Sequence, residues 1–102
     1  MRILSRTEEM LLLAVRALEP LAYGLSIGEF LKEHSGRAWS VGAIYIPLER
    51  LRKRGLLSAL DGDPTPERGG RSKRFYRLTS KGLEALGEVK RLHDLLWAAA
   101  DR

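Results

Sequence analysis

The chain has 102 residues, enough for one hydrophobic core and too few for two. Hydrophobic residues make up 44% and charged residues 30%, which supports a folded core and excludes the low-hydropathy profile of a disordered chain. There is no cysteine, so disulfides, zinc-thiolate sites and thiol catalysis are excluded together, and the two histidines, His34 and His93, are too distant in sequence to point to a metal.

The net charge of +5 is concentrated. Ser40 to Gly82 carries ten basic and four acidic residues, against five and five before it and three and four after it. A basic stretch of this kind is the electrostatic footprint of a polyanion binder. The longest apolar run near the N-terminus is Met10 to Val15, too short for a signal-peptide core or a membrane span, so the expected address is the cytoplasm and no membrane partner is expected.

In chain order, Ser5 and Glu8 fit a capping box, and Thr7 to Leu18 reads as a helix with hardly any polar face. Such a helix needs cover on more than one side, and a partner subunit can supply part of it. Pro20 closes it. Ser26 with Glu29 predicts the start of a second, short helix through Ile27, Phe30 and Leu31, ended by Gly36. Ser40 caps a third, in which Ile44, Leu48 and Leu51 keep an apolar period up to Gly55. Pro47 lies inside it; the period continues in phase across the proline, so an intact but kinked helix is expected.

Leu56 to Leu60 reads as a strand, Asp61 to Gly70 as a turn-rich loop, and Arg71 to Leu78 as a returning strand with basic residues near its tip. Asp61-Gly62-Asp63 resembles the start of a calcium loop but lacks the remaining ligands. Thr79 caps a last helix to about Asp101. Its apolar residues form two seams, Ala85, Val89, Leu92, Leu96, Ala99 and Leu83, Leu86, His93, Trp97, Ala100, one able to cover the domain while the other meets a second copy. The expected fold is mostly α with a small β-hairpin, a winged helix-turn-helix over residues 1–78 and a C-terminal dimerisation helix over 79–102, forming one unit.

Specific stretches sharpen this. Ser40-Val41-Gly42-Ala43-Ile44-Tyr45-Ile46-Pro47-Leu48-Glu49-Arg50-Leu51, then Arg54-Gly55-Leu56-Leu57, then Gly70 to Gly82 with its Arg71-Ser72-Lys73-Arg74-Phe75-Tyr76 core, resemble the PadR family of transcriptional regulators. Tyr23-Gly24 fits as well, although Leu25-Ser26-Ile27-Gly28-Glu29 is spaced differently from the family's usual segment. The likeness is to the short branch with one C-terminal helix. It implies dimeric operator binding, usually repression, in some cases relieved by a small aromatic ligand.

A recognition helix offers its N-terminal residues to base edges in the major groove. Ser40, Gly42, Ala43 and Tyr45 are therefore the expected DNA contacts, with Arg50 and Lys53 at the helix end, Arg71, Lys73 and Arg74 on the wing, and Tyr23 from the resemblance. Ser40 equally suits pure capping; for Tyr45 contact is favoured over core packing, because Ile44 and Leu48 already occupy the apolar face. Leu11, Val89, Leu92, Leu96 and Trp97 are the expected dimer contacts. Trp97 is also the candidate for stacking a small aromatic effector, as in multidrug-sensing relatives, with interface packing the plainer role. Trp39 reads as a core anchor. The partners expected are double-stranded DNA and a second copy of the chain, with no cofactor. The competing reading is a winged helix that binds protein, which the one-signed middle segment disfavours. No nucleophile-base pair, phosphate loop or ligand cluster supports an enzyme.

Overall fold

The computed structural model describes residues 3–64 and 72–102. Its elements are α1 (Arg6–Leu18), α2 (Gly24–Ser35), α3 (Val41–Lys53), β1 (Leu57–Pro64), β2 (Ser72–Leu78) and α4 (Ser80–Ala100). Three helices pack around one core, an antiparallel hairpin leans on them as the wing, and α4 runs away from the hairpin base. This is the winged helix arrangement.

The caps explain where helices begin. In α1 the Glu8 N–H donates to Ser5 Oγ and the Ser5 N–H to Glu8 Oε1, a reciprocal pair. Ser40 Oγ accepts from Ala43 N–H to start α3, and Thr79 Oγ1 accepts from Gly82 N–H to start α4. The second helix begins earlier than expected. Ser26 is not its cap but its third residue: the hydroxyl accepts from the Tyr23 N–H and donates back to the Leu21 carbonyl, so Gly24 opens the helix. Pro47 leaves α3 unbroken from Val41 to Lys53.

The hairpin is also longer on its outward side than the turn residues predict. β1 extends to Pro64, with a register shift between Asp61 and Pro64 that accommodates the Asp-Gly-Asp-Pro sequence as a bulge. At its base, β2 is joined to the α1–α2 connection: the Tyr76 N–H donates to the Ala22 carbonyl at 2.8 Å, and the Leu78 N–H to Glu19 Oε1 at 2.6 Å.

The core is built from Leu11, Leu12 and Val15 of α1, Ile27 and Leu31 of α2, Ile44, Leu48 and Leu51 of α3, Leu57 of β1 and Tyr76 of β2. Each fully buried leucine contributes about 1.5–3 kcal/mol. Two expected dimer contacts are corrected here. Leu11 is wholly buried and Val89 is 5% exposed within their own chain, so neither has surface left for a partner. On α4 each seam is divided: Leu86 and Val89, one from each, are buried, while Leu83, Leu96 and Trp97 are exposed. The buried contacts lie in the first half of the helix, and from Asp94 onward its residues are exposed. Among the described residues no helix is long and apolar enough to cross a membrane.

Candidate nucleic-acid interface

The N-terminal half of α3 is open on its outward side. Its apolar period turns Ile44, Leu48 and Leu51 inward, and this leaves Val41 71% and Ile46 56% exposed beside the exposed Gly42 and Ala43. Gly42 and Ala43 add almost no side-chain bulk, so another molecule can approach the backbone there. Ser40 caps the helix through an oxygen lone pair, which leaves its O–H able to donate to an external acceptor. Val41 and Ile46 were not foreseen from the sequence. The signal was present in two apolar residues lying off the inward period.

Tyr45 is 37% exposed, and its ring lies back against the start of α2. A Cβ on Gly24 would fall inside the van der Waals shell of the Tyr45 hydroxyl, so glycine is what allows the ring to rest there. The expected outward tyrosine is therefore shared between packing and solvent.

The two faces of β2 differ in chemistry because its side chains alternate. The buried Tyr76 marks the inner face and Phe75 the outer. On the outer face Phe75 meets the Tyr23 ring edge-on at 5.6 Å, and Lys73 Nζ sits 4.7 Å from the centre of the same ring. The cation–π contact holds the ammonium beside the N-terminus of α2. This brings Tyr23 and Lys73, 50 positions apart in sequence, into one cluster.

Arg74, expected among the wing contacts, shares the inner face with Tyr76, and its guanidinium is paired with Glu49 and Asp61: Nε lies 3.2 Å from Glu49 Oε2, and Nη1 3.4 Å from Asp61 Oδ1. Glu49 Oε2 also accepts the Tyr76 hydroxyl at 2.7 Å, and Oε1 accepts Arg52 Nε at 3.0 Å. Burial works to raise the Glu49 pKa, but the Tyr76 hydroxyl and the two guanidiniums outweigh it and hold the carboxyl below its ordinary value. Burial, and then the carboxylate accepting its proton, push the Tyr76 phenol above the usual range. Arg50 and Lys53 are exposed in the last turn of α3, and Arg71 lies outside the described residues.

The other end of α3 is tied down. Arg54 Nη1 reaches Glu8 Oε2 at 2.8 Å, with both side chains largely covered. Lys81 Nζ donates to the Arg54 carbonyl and the Thr79 hydroxyl to the Gly55 carbonyl. Gly55 has φ +81°, a conformation that favours glycine, and a Cβ on Gly82 would overlap the Leu56 carbonyl oxygen. Above this joint a groove of about 640 Å³ runs between Leu4 and α4, lined by Leu56, Ala85, Val89, Leu92 and Leu95 among others; Trp97 is not part of it. Trp39 packs half-buried against the core. His34 meets Phe30 with the rings tilted by 48° and their centres 4.4 Å apart, and His93 lies half-buried on α4. Among the described residues no cluster of three His, Cys, Asp or Glu side chains could hold a metal.

A family model described as the transcriptional regulator PadR-like family matches residues 12–88. Among solved structures, a PadR-like transcription factor from Bacteroides fragilis is 27% identical with a TM-score of 0.74, covering 90% of this chain and 85% of that one. A PadR-like transcriptional regulator from Bacillus cereus is 26% identical with a TM-score of 0.72, covering 92% and 86%. A PadR family transcription regulator from Clostridium difficile shares the fold at 18% identity and a TM-score of 0.77, covering 95% and 96%. No curated protein matches the chain.

Proposed function

The chain belongs to the transcriptional regulator PadR-like family, whose members are DNA-binding regulators and not enzymes, and on that premise we propose that it is a homodimeric repressor reading DNA with α3 and the wing. The open N-terminal half of α3 carries this reading: Val41 and Ile46 stand exposed beside Gly42 and Ala43 in the basic middle segment of the sequence. An exposed isoleucine and valine on a recognition helix suit thymine methyl groups, and small neighbours allow the helix to enter the groove. Ser40 and Tyr45 offer hydroxyls to phosphate or base, while Lys73 and Tyr23 meet the flanking backbone. Arg50 and Lys53 add phosphate contacts along the side of the helix.

The second copy covers the outer half of α4, where Leu92, Leu95, Leu96 and Trp97 range from 37% to 68% exposed. Apolar side chains this open on a projecting helix favour a self-complementary contact. Two recognition helices then face half-sites about one helical turn apart. Trp97, exposed beyond the groove, is where a flat aromatic effector would stack to release DNA.

The test is selection of duplexes from a random-sequence pool, followed by anisotropy titration of the selected duplex and a scrambled one at two salt concentrations. Preference for the selected duplex, weakening steeply with salt, is expected. A chain that selects nothing and binds neither duplex at low salt would sink the reading and favour a protein partner. Sedimentation should give a dimer mass that Leu96→Arg reduces to a monomer.

A further inference from the structure

Glu49 poses a problem for a helix that approaches a polyanion. It lies on α3 one turn beyond Tyr45, its carboxylate is about one-third exposed, and it repels phosphate. Four groups converge on this side chain or its partner from three elements: the Tyr76 hydroxyl and Arg74 Nε from β2, Arg52 Nε from α3, and Asp61 of β1 through Arg74. Two arginines that would otherwise raise the affinity for any DNA are engaged by it.

We propose that Glu49 is a positioning residue for DNA recognition: by accepting from Tyr76 and pairing with Arg74 it fixes the wing against the recognition helix, and this trades general attraction for discrimination between sequences. The inference rests on the DNA-interface reading above. Its physical basis is rigidity. α3 and the wing contact different parts of a site, so a preferred sequence is rewarded only if both are in register at once, whereas backbone attraction tolerates a loose wing. A charge-assisted pair across the two elements, tightened by a 2.7 Å hydrogen bond, holds that register.

Electrostatics alone and positioning predict opposite signs. Glu49→Gln removes one negative charge and releases Arg52 and Arg74. The probes are the duplex that the unaltered protein selects from a random pool and a scrambled version of it, each titrated at two salt concentrations, with thermal melts of each variant. Glu49→Gln should bind the scrambled duplex about two- to threefold tighter, with a steeper salt dependence, and the selected duplex about tenfold weaker. Tyr76→Phe keeps the net charge and deletes only the hydroxyl, so it should leave the scrambled duplex unchanged and weaken the selected one about threefold. A parallel gain on both duplexes by Glu49→Gln, with Tyr76→Phe neutral, would reduce Glu49 to a surface charge and overturn the proposal. Equal loss on both duplexes would overturn it too, because a loosened fold produces that result. If the unaltered protein selects no sequence, the interface reading itself has failed.

Discussion

The two ends of α3 are finished by opposite rules. At its start, one hydroxyl cap from Ser40 is followed by Val41, Gly42 and Ala43 standing open. At its end, Glu8, Thr79 and Lys81 hold Arg54 and Gly55 through three polar contacts, and α4 comes so close that only glycine fits at position 82. The difference teaches how a helix can be offered to another molecule without being lost from its own fold. The anchoring is gathered at the end away from the open first turn, and the two ends are joined through the buried Ile44, Leu48 and Leu51.

The largest effect should come from attacking the anchored end. Gly82→Ala would gain up to about 1 kcal/mol as an ordinary helix substitution, but overlap with a backbone carbonyl that cannot swing aside reverses the sign. A net loss of about 2 kcal/mol is expected, lowering the melting temperature by about 10 °C in a differential scanning experiment; a stabilised variant would show that the joint is looser than described. Glu8→Gln comes next. Gln keeps the cap on α1 yet removes the charge beside Arg54, and about 1 kcal/mol should be lost in urea melts, less at high salt.

A smaller effect is set by pH. The Glu49 carboxyl is held below its ordinary value of 4.5, so its ionised form favours the folded state. That contribution is present above the unfolded value and disappears as pH falls through the lower, folded one. Urea midpoints followed downward from pH 5.5 should therefore fall less in Glu49→Gln than in the unaltered protein. At the open end stability should hardly respond: Ile46→Ala is expected to stay within about 0.5 kcal/mol of the parent. Its effect should appear on DNA, as a loss of several-fold on the selected duplex alone. If Ile46→Ala instead unfolds the chain, the contrast between the two ends is wrong.

Much of the fold was legible in residue spacing. Ser5 with Glu8, Ser40 and Thr79 act within three residues of themselves, so their capping roles are written locally. The inward stripe of α3 is likewise a matter of period. Ser26 was harder, because Ser26-Ile27-Gly28-Glu29 matches a capping box as well as the real arrangement does; the competition was decided by the Leu21 carbonyl, which accepts the hydroxyl. The strand beyond Leu60 was hidden by turn-forming residues that the hairpin absorbs as a bulge.

The sequence by itself determined the element order, the helix starts at Ser5, Ser40 and Thr79, the basic middle segment and the resemblance that named the family. Each of these depends on neighbours in the chain or on composition. The tertiary structure alone decided which charges are available. Arg74 and Lys73 are adjacent, yet one is turned inward to Glu49 and the other held over Tyr23, and Leu11 and Val89 were consumed by their own core rather than left for a partner. The reason is physical: a side chain's charge or hydrophobicity is intrinsic to it, but whether that property is already satisfied depends on groups brought close by folding, such as Tyr76 to Glu49 across 27 positions.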